Sequence, residues 1–169
     1  TKERELIGSV TAEVLDTVRY PIFTVPPASP SGESSACDTT ADYRRVMMFV
    51  TFEQDDFLTL DALHRFLPHS ENLEITFVRI GKRAPLYNAH TYHNLLNYAE
   101  KHYPECHFSV SEQTVASLME GFGGDSSKHN PDLIVVPNKK KNAFARLFNP
   151  GIAHRILFNA DIPMMVVPV

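Results

Sequence analysis

Hydrophobic positions in this 169-residue chain alternate between two kinds of segment, short apolar runs and stripes with helical spacing. RRVMMFVTF, residues 44–52, is a continuous apolar run, as expected of a strand buried on both faces of a parallel sheet. Residues 55–67 then place Phe57, Leu60, Leu63 and Leu67 on one stripe, broadened by Leu58, Ala62 and Phe66. With Asp55 and Asp56 at its start, this segment predicts a well-buried helix whose acidic end suits the helix dipole. LEITFVRI, residues 73–80, reads as the second strand, and residues 81–87, with Pro85, as a loop. From about Asn88 to His102, Tyr92, Leu95, Leu96 and Ala99, continued by Tyr103, keep helical spacing until Pro104 stops it.

HFSV, residues 107–110, predicts a short third strand, after which Ser111 is placed to cap a helix using Val115, Leu118, Met119 and Phe122, closed by Gly123 and Gly124. PDLIVVPN, residues 131–138, supplies a fourth strand. Asn149 and Pro150 suit a helix start that runs through Ile152, Ile156 and Leu157 to a last strand, 163–169. The order β-α-β-α-β-α-β-α-β predicts an α/β fold, a doubly wound five-stranded parallel sheet with helices on both faces and right-handed crossovers.

A second pattern lies over the first. GSVTAEVLDTVRYPIFTVP, residues 8–26, aligns without a gap on PGIAHRILFNADIPMMVVP, residues 150–168. Val10 falls on Ile152, Val14 on Ile156, Leu15 on Leu157, Pro21 on Pro163, Val25 on Val167 and Pro26 on Pro168. Both copies read as helix, X-Pro break, short apolar strand. A period of domain length implies tandem duplication. Residues 1–26 are therefore expected to be the last helix and strand of a truncated first domain, 27–43, rich in Pro, Ser, Gly and Thr, a linker, and 44–169 a complete domain.

Composition narrows the partners. With 43% hydrophobic and 21% charged residues the chain can bury a core, and a net charge of −4 supplies no field for nucleic acid or anionic lipid. No apolar run approaches a membrane span and the start Thr1-Lys2-Glu3-Arg4-Glu5 has no signal-peptide core, so a cytoplasmic location is expected. Cys37 and Cys106 form neither a disulfide framework nor a zinc pattern. His90 and His93 lie one helical turn apart, but no third ligand stands near them and no metal site is assigned. Cys106 and His107, as strand neighbours, point to opposite faces and make a poor nucleophile and base. No Walker loop, nucleophile elbow or His-Glu-x-x-His occurs, so no catalytic residue is assigned and the expectation is a protein that is not an enzyme.

The closing segment, PDLIVVPNKKKNAFARLFNPGIAHRILFNADIPMMVVPV, resembles the fourth strand, ligand loop, final helix and final strand of universal stress proteins, and Gly8-Ser9-Val10 resembles the start of that helix in the first copy. The resemblance implies the adenine nucleotide alpha hydrolase-like fold, and a stress-response role as a regulatory or interaction domain. It also implies pairing, as a homodimer or between tandem domains, through the terminal strands 21–26 and 163–169. Nucleotide-binding members carry a G-x-x-G-x9-G-[ST] loop and a strand-one aspartate. Here Pro137, Lys140 and Pro150 stand at the glycines, Gly151 at the Ser/Thr and Thr51 at the aspartate. Glycine admits backbone N–H groups close to phosphate and Pro does not, so no cofactor is expected and ATP is disfavoured. The alternative is a sensor holding a nucleotide or other anionic small molecule at the 137–151 loop. Its candidate ligands are Thr51, Asn138, Lys139, Lys140, Lys141, Asn142 and Gly151. A run of lysines on a loop serves equally as a solvated surface.

Overall fold

The computed structural model of the chain describes residues 19–24, 43–67, 72–81, 89–114, 116–118, 131–138 and 162–169. Among these, six strands form one sheet: β1 (Ile22–Thr24), β2 (Arg45–Phe49), β3 (Glu74–Ile80), β4 (His107–Gln113), β5 (Leu133–Asn138) and β6 (Met164–Pro168). Helix α1 (Gln54–Phe66) joins β2 to β3, and α2 (Ala89–His102) lies between β3 and β4. The spatial order is β1-β6-β5-β2-β3-β4, and β2 through β6 run parallel. These five strands are the predicted parallel sheet. β1 adds a sixth, antiparallel strand, pairing Ile22 with Val166, Phe23 with Met165 and Thr24 with Met164.

Parallel strands buried on both faces read as apolar runs, and the core divides by alternation. Val46, Met48, Leu133, Val135, Met165 and Val167 join Leu60 and Leu63 of α1 and Leu95 and Ala99 of α2 on one face. Phe49, Ile134, Val136, Met164 and Val166 point to the other face, where Leu118 packs. β1 obeys the same alternation, with Phe23 against the first cluster and Ile22 against the second. At the N-terminal end of the sheet, Asp132 clamps β5 to β2. It accepts from the Arg44 and Arg45 N–H groups at 3.1 and 2.9 Å and faces the Arg45 guanidinium at 3.3 Å.

Three expectations change. The run 44–52 is a strand only over Arg45–Phe49, because the chain turns at Phe52, which takes φ 60. Ser111 caps no helix: Ser111–Gln113 continue β4 beside Val78–Ile80, and Thr114 takes the capping position, its hydroxyl accepting the Ser117 N–H at 3.2 Å. Helix α1 is not buried all round. Leu58 and Phe66 are 58% and 49% exposed, since on a helical projection at about 100° per residue Leu58 lies roughly opposite the Leu60–Leu63 stripe and Phe66 about 90° to its side. The predicted final helix from Asn149, the linker 27–43 and the helix of residues 8–18 lie outside the described residues.

Candidate functional site

In an open α/β sheet, ligands settle at the carboxyl ends of the strands where the winding reverses. Here the reversal lies between β2, which leads on to β3 and β4, and β5, which leads on to β6. Pairing of β2 with β5 stops at Met48 and Val135, while β5 continues alongside β6 to Asn138. The two strands thus part into a crevice, with the β2–α1 turn on one bank and the end of β5 on the other.

The β2 bank is organised by a carboxylate. Asp56, in the first turn of α1, is 0% exposed. It accepts the Thr51 N–H at 3.1 Å and the Glu53 N–H at 3.1 Å, and forms a reciprocal capping box with Glu53. The positive end of α1 is therefore answered by an internal anion, and the turn's N–H groups are spent on it. Asp56 thus serves the helix dipole, as its place at the helix start predicts, but from a buried position. Its burial is tolerable because charged hydrogen bonds replace its hydration. The same bonds hold Phe52 in left-handed backbone, a conformation that costs a residue with a Cβ about 1–2 kcal/mol.

Thr51 stands at the head of this turn, and its buried Oγ1 has no hydrogen-bond partner. Across the crevice, Asn138 ends β5 and its carbonyl accepts the Val169 N–H at 3.1 Å. Pro137 is buried within β5. Ile134 donates its N–H to Pro163, so even-numbered residues of β5 bond β6, while odd-numbered ones, Pro137 included, turn toward β2. Pro137 lies past the last β2 pair, so its missing N–H breaks no ladder bond. At the same time it presents no donor to the crevice. Thr51 and Asn138 thus flank one crevice, while Lys139, Lys140, Lys141, Asn142 and Gly151 lie outside the described residues, as do Lys140 and Pro150 at the compared glycine positions.

On the α2 side of the β2–α1 turn a second depression of about 520 Å³ opens among Phe52, Glu53, Gln54, Asp55, Phe57, Asn94 and Leu95. No sequence motif marks it, since its residues come from two elements some forty positions apart. Farther along, Asp61 of α1 accepts from Tyr98 at 2.9 Å and from Tyr103 at 2.5 Å, tying the two helices together. Burial, reinforced by the Asp61 bond and charge, raises the ionisation of both phenols above the ordinary tyrosine range. Burial, with the Glu105 charge, pushes the Cys106 thiol up to about 11, which makes it a poor nucleophile. His93 is exposed, and no group of three metal-ligating side chains occurs among the described residues. No helix among them is long and apolar enough to cross a membrane.

By sequence, no family profile matches the chain, and no curated protein does so significantly. Solved structures do match. A universal stress protein in complex with cAMP superposes with a TM-score of 0.50 at 13% identity, over 75% of this chain and 98% of its own. A universal stress protein from Archaeoglobus fulgidus gives 0.59 at 15% identity, over 98% of this chain and 56% of its own. Identities this low speak for the fold alone. Together with the parallel five-strand order and the reversal between β2 and β5, they show that this chain has the α/β fold of the universal stress proteins.

Proposed function

We propose that the chain is a universal stress protein-like regulatory or interaction domain, without catalytic activity, that works through pairing at its terminal strand and does not hold ATP in a glycine loop. The observation that carries the pairing is β1, laid antiparallel on β6 with Ile22 opposite Val166. β1 comes from the segment that repeats the sequence of β6, PIFTVP against PMMVVP, so the edge of β6 accepts a strand like itself. On this reading β1 is the last strand of a preceding domain of the same kind, and the partner is a second such domain, in tandem or in a homodimer.

The reading against ATP is supported at both banks of the crevice. Pro137 presents no N–H, and the Thr51 N–H is already given to Asp56. Calorimetric titration with Mg-ATP should give no heat of specific binding; an affinity in the micromolar range sinks the proposal.

One observation favours a second reading, a sensor for a nucleotide or other anionic metabolite. The buried Thr51 hydroxyl is unpaired at the crevice, and an unpaired buried polar group costs about 1–3 kcal/mol until something bonds it. Lys139, Lys140 and Lys141 would supply the charge, and one structural neighbour was solved with cAMP. Reproducible thermal stabilisation by cAMP or by phosphorylated metabolites, abolished when the three lysines are changed together to Ala, selects this reading. Stabilisation that survives the change removes the loop from the site.

A further inference from the structure

The two edges of the sheet end differently. β6 is covered by β1, whereas β4 bonds β3 on one side and, among the described residues, no strand on the other. All seven residues of β4 pair with β3 one for one, from His107 opposite Glu74 to Gln113 opposite Ile80, so the strand carries no bulge. Its odd-numbered residues turn both backbone groups to β3: His107 donates to the Leu73 carbonyl at 2.7 Å, and Gln113 accepts from the Gly81 N–H at 3.1 Å. The N–H and C=O groups of Phe108, Val110 and Glu112 therefore point out of the sheet, where no strand among the described residues takes them up. None of the seven residues is buried, in contrast to β5, whose first five are.

An open edge ordinarily carries a lysine, a proline or a bulge that keeps other strands away. HFSVSEQ has none of these. Its single acidic side chain, Glu112, which could repel a second strand, is already engaged by Arg79 of β3 at 3.9 Å. The row is also self-complementary. Laid antiparallel on a second copy about a two-fold axis at Val110, Phe108 falls opposite the partner's Glu112, Val110 opposite the partner's Val110 and Glu112 opposite the partner's Phe108. These are outward-facing residues on both strands, so each pair exchanges two N–H···O bonds and no outward group from 108 to 112 is left over. In the same register Ser109 meets the partner's Ser111, a pair of hydroxyls that bond across strands, and the central valines form a β-branched pair. Such an assembly stops at two copies, because β6 is already covered and β1, three residues long behind Pro21, offers little to a further strand.

We propose that this chain associates with a second copy of itself through β4, the two strands joining antiparallel about Val110 into one continuous sheet. The inference is independent of the pairing at β6, which lies at the opposite edge.

Sedimentation equilibrium of the full chain from about 5 to 500 µM, with amide exchange measured at both ends of that range, tests it. The expected result is a mass that rises with concentration to twice that of the monomer. Over the same range the amides of Phe108, Val110 and Glu112 should become at least about tenfold slower to exchange, while those of Ser109 and Ser111, bonded to β3 throughout, stay as they are. Val110→Pro removes an outward N–H and no ladder bond to β3, and Ser109→Lys sets like charges across the two-fold axis; each should weaken association about tenfold or more. Ser109→Lys, at an exposed position, leaves the ladder whole and decides the matter alone if Val110→Pro fails to fold. A chain that is monomeric at every concentration overturns the proposal. So does association unmoved in the variants, as pairing at β6 would give, or slowing of the three amides at constant monomer mass, as cover by a segment of the same chain would give.

Discussion

Asp56 shows how one side chain can settle a turn. Its carboxylate takes two backbone N–H groups that α1 and the β2–α1 turn would otherwise leave unpaired in the interior. Asp56→Ala therefore removes charge-assisted bonds and strands both donors, and should cost about 2–4 kcal/mol in urea unfolding. Asp56→Asn, which keeps the shape and loses the charge, should cost less. The Asp61 network gives a second expectation. Tyr103 bonds Asp61 at 2.5 Å, and Tyr103→Phe should lower stability by about 1 kcal/mol near neutral pH. The phenol ionises at higher pH when folded than its ordinary value of 10.0, so the unfolded chain releases the proton first. Its contribution is complete below pH 10.0 and is lost as pH rises past that value toward the folded one. Stability curves measured from pH 8 to 11 should fall less steeply above pH 10 for Tyr103→Phe than for the parent.

At the level of the element, α1 carries two apolar stripes of different fate. Leu60 and Leu63 meet the sheet and are buried, whereas Leu58 and Phe66 look outward beside Pro21, the residue before β1. Leu60→Ala should open a cavity and cost about 2–5 kcal/mol, while Leu58→Ala should stay within about 0.5 kcal/mol, both read from denaturant unfolding. Comparable losses at both positions would mean that the outer stripe is covered in solution. β4 teaches a related lesson. Ser111 has the chemistry of a helix cap, yet the ladder with Val78 holds it in strand, and Thr114, three residues on, does the capping. Pairing with β3 outweighs a local preference worth about 1 kcal/mol.

For the molecule as a whole, β1 closes one edge of the sheet. Without it, the N–H and C=O groups on the outer side of β6 would face solvent as a template for another strand. Deleting residues 1–26 should lower the melting temperature and raise the mass in solution seen by light scattering, as β6 finds the same edge on a second chain. In the parent, amides of Ile22–Thr24 that bond β6 should be protected from exchange. An unchanged mass and melting temperature in the deletion, with free exchange at Ile22–Thr24 in the parent, would mean that β1 contributes nothing to the sheet in solution.

Much of this architecture follows from local pattern. Strands β2, β5 and β6 are largely apolar runs because both faces of a parallel sheet are buried there, β3 mixes apolar residues with Glu74, Thr76 and Arg79, and the stripes of α1 and α2 have helical period, so element type and order are written in neighbouring residues. The strand predicted after the X-Pro break at Pro21 is likewise present, as Ile22–Thr24. What the sequence left open belongs to contacts between distant residues. That Asp56 is a buried ligand of its own turn depends on Phe52 entering left-handed backbone, which no pattern of apolar positions encodes. Which α1 leucine faces the core depends on where the sheet lies against the helix. The cleft between Phe52, Phe57 and Asn94 exists only once α1 and α2 pack side by side, because pockets are made where elements meet, and local preference carries no record of that meeting.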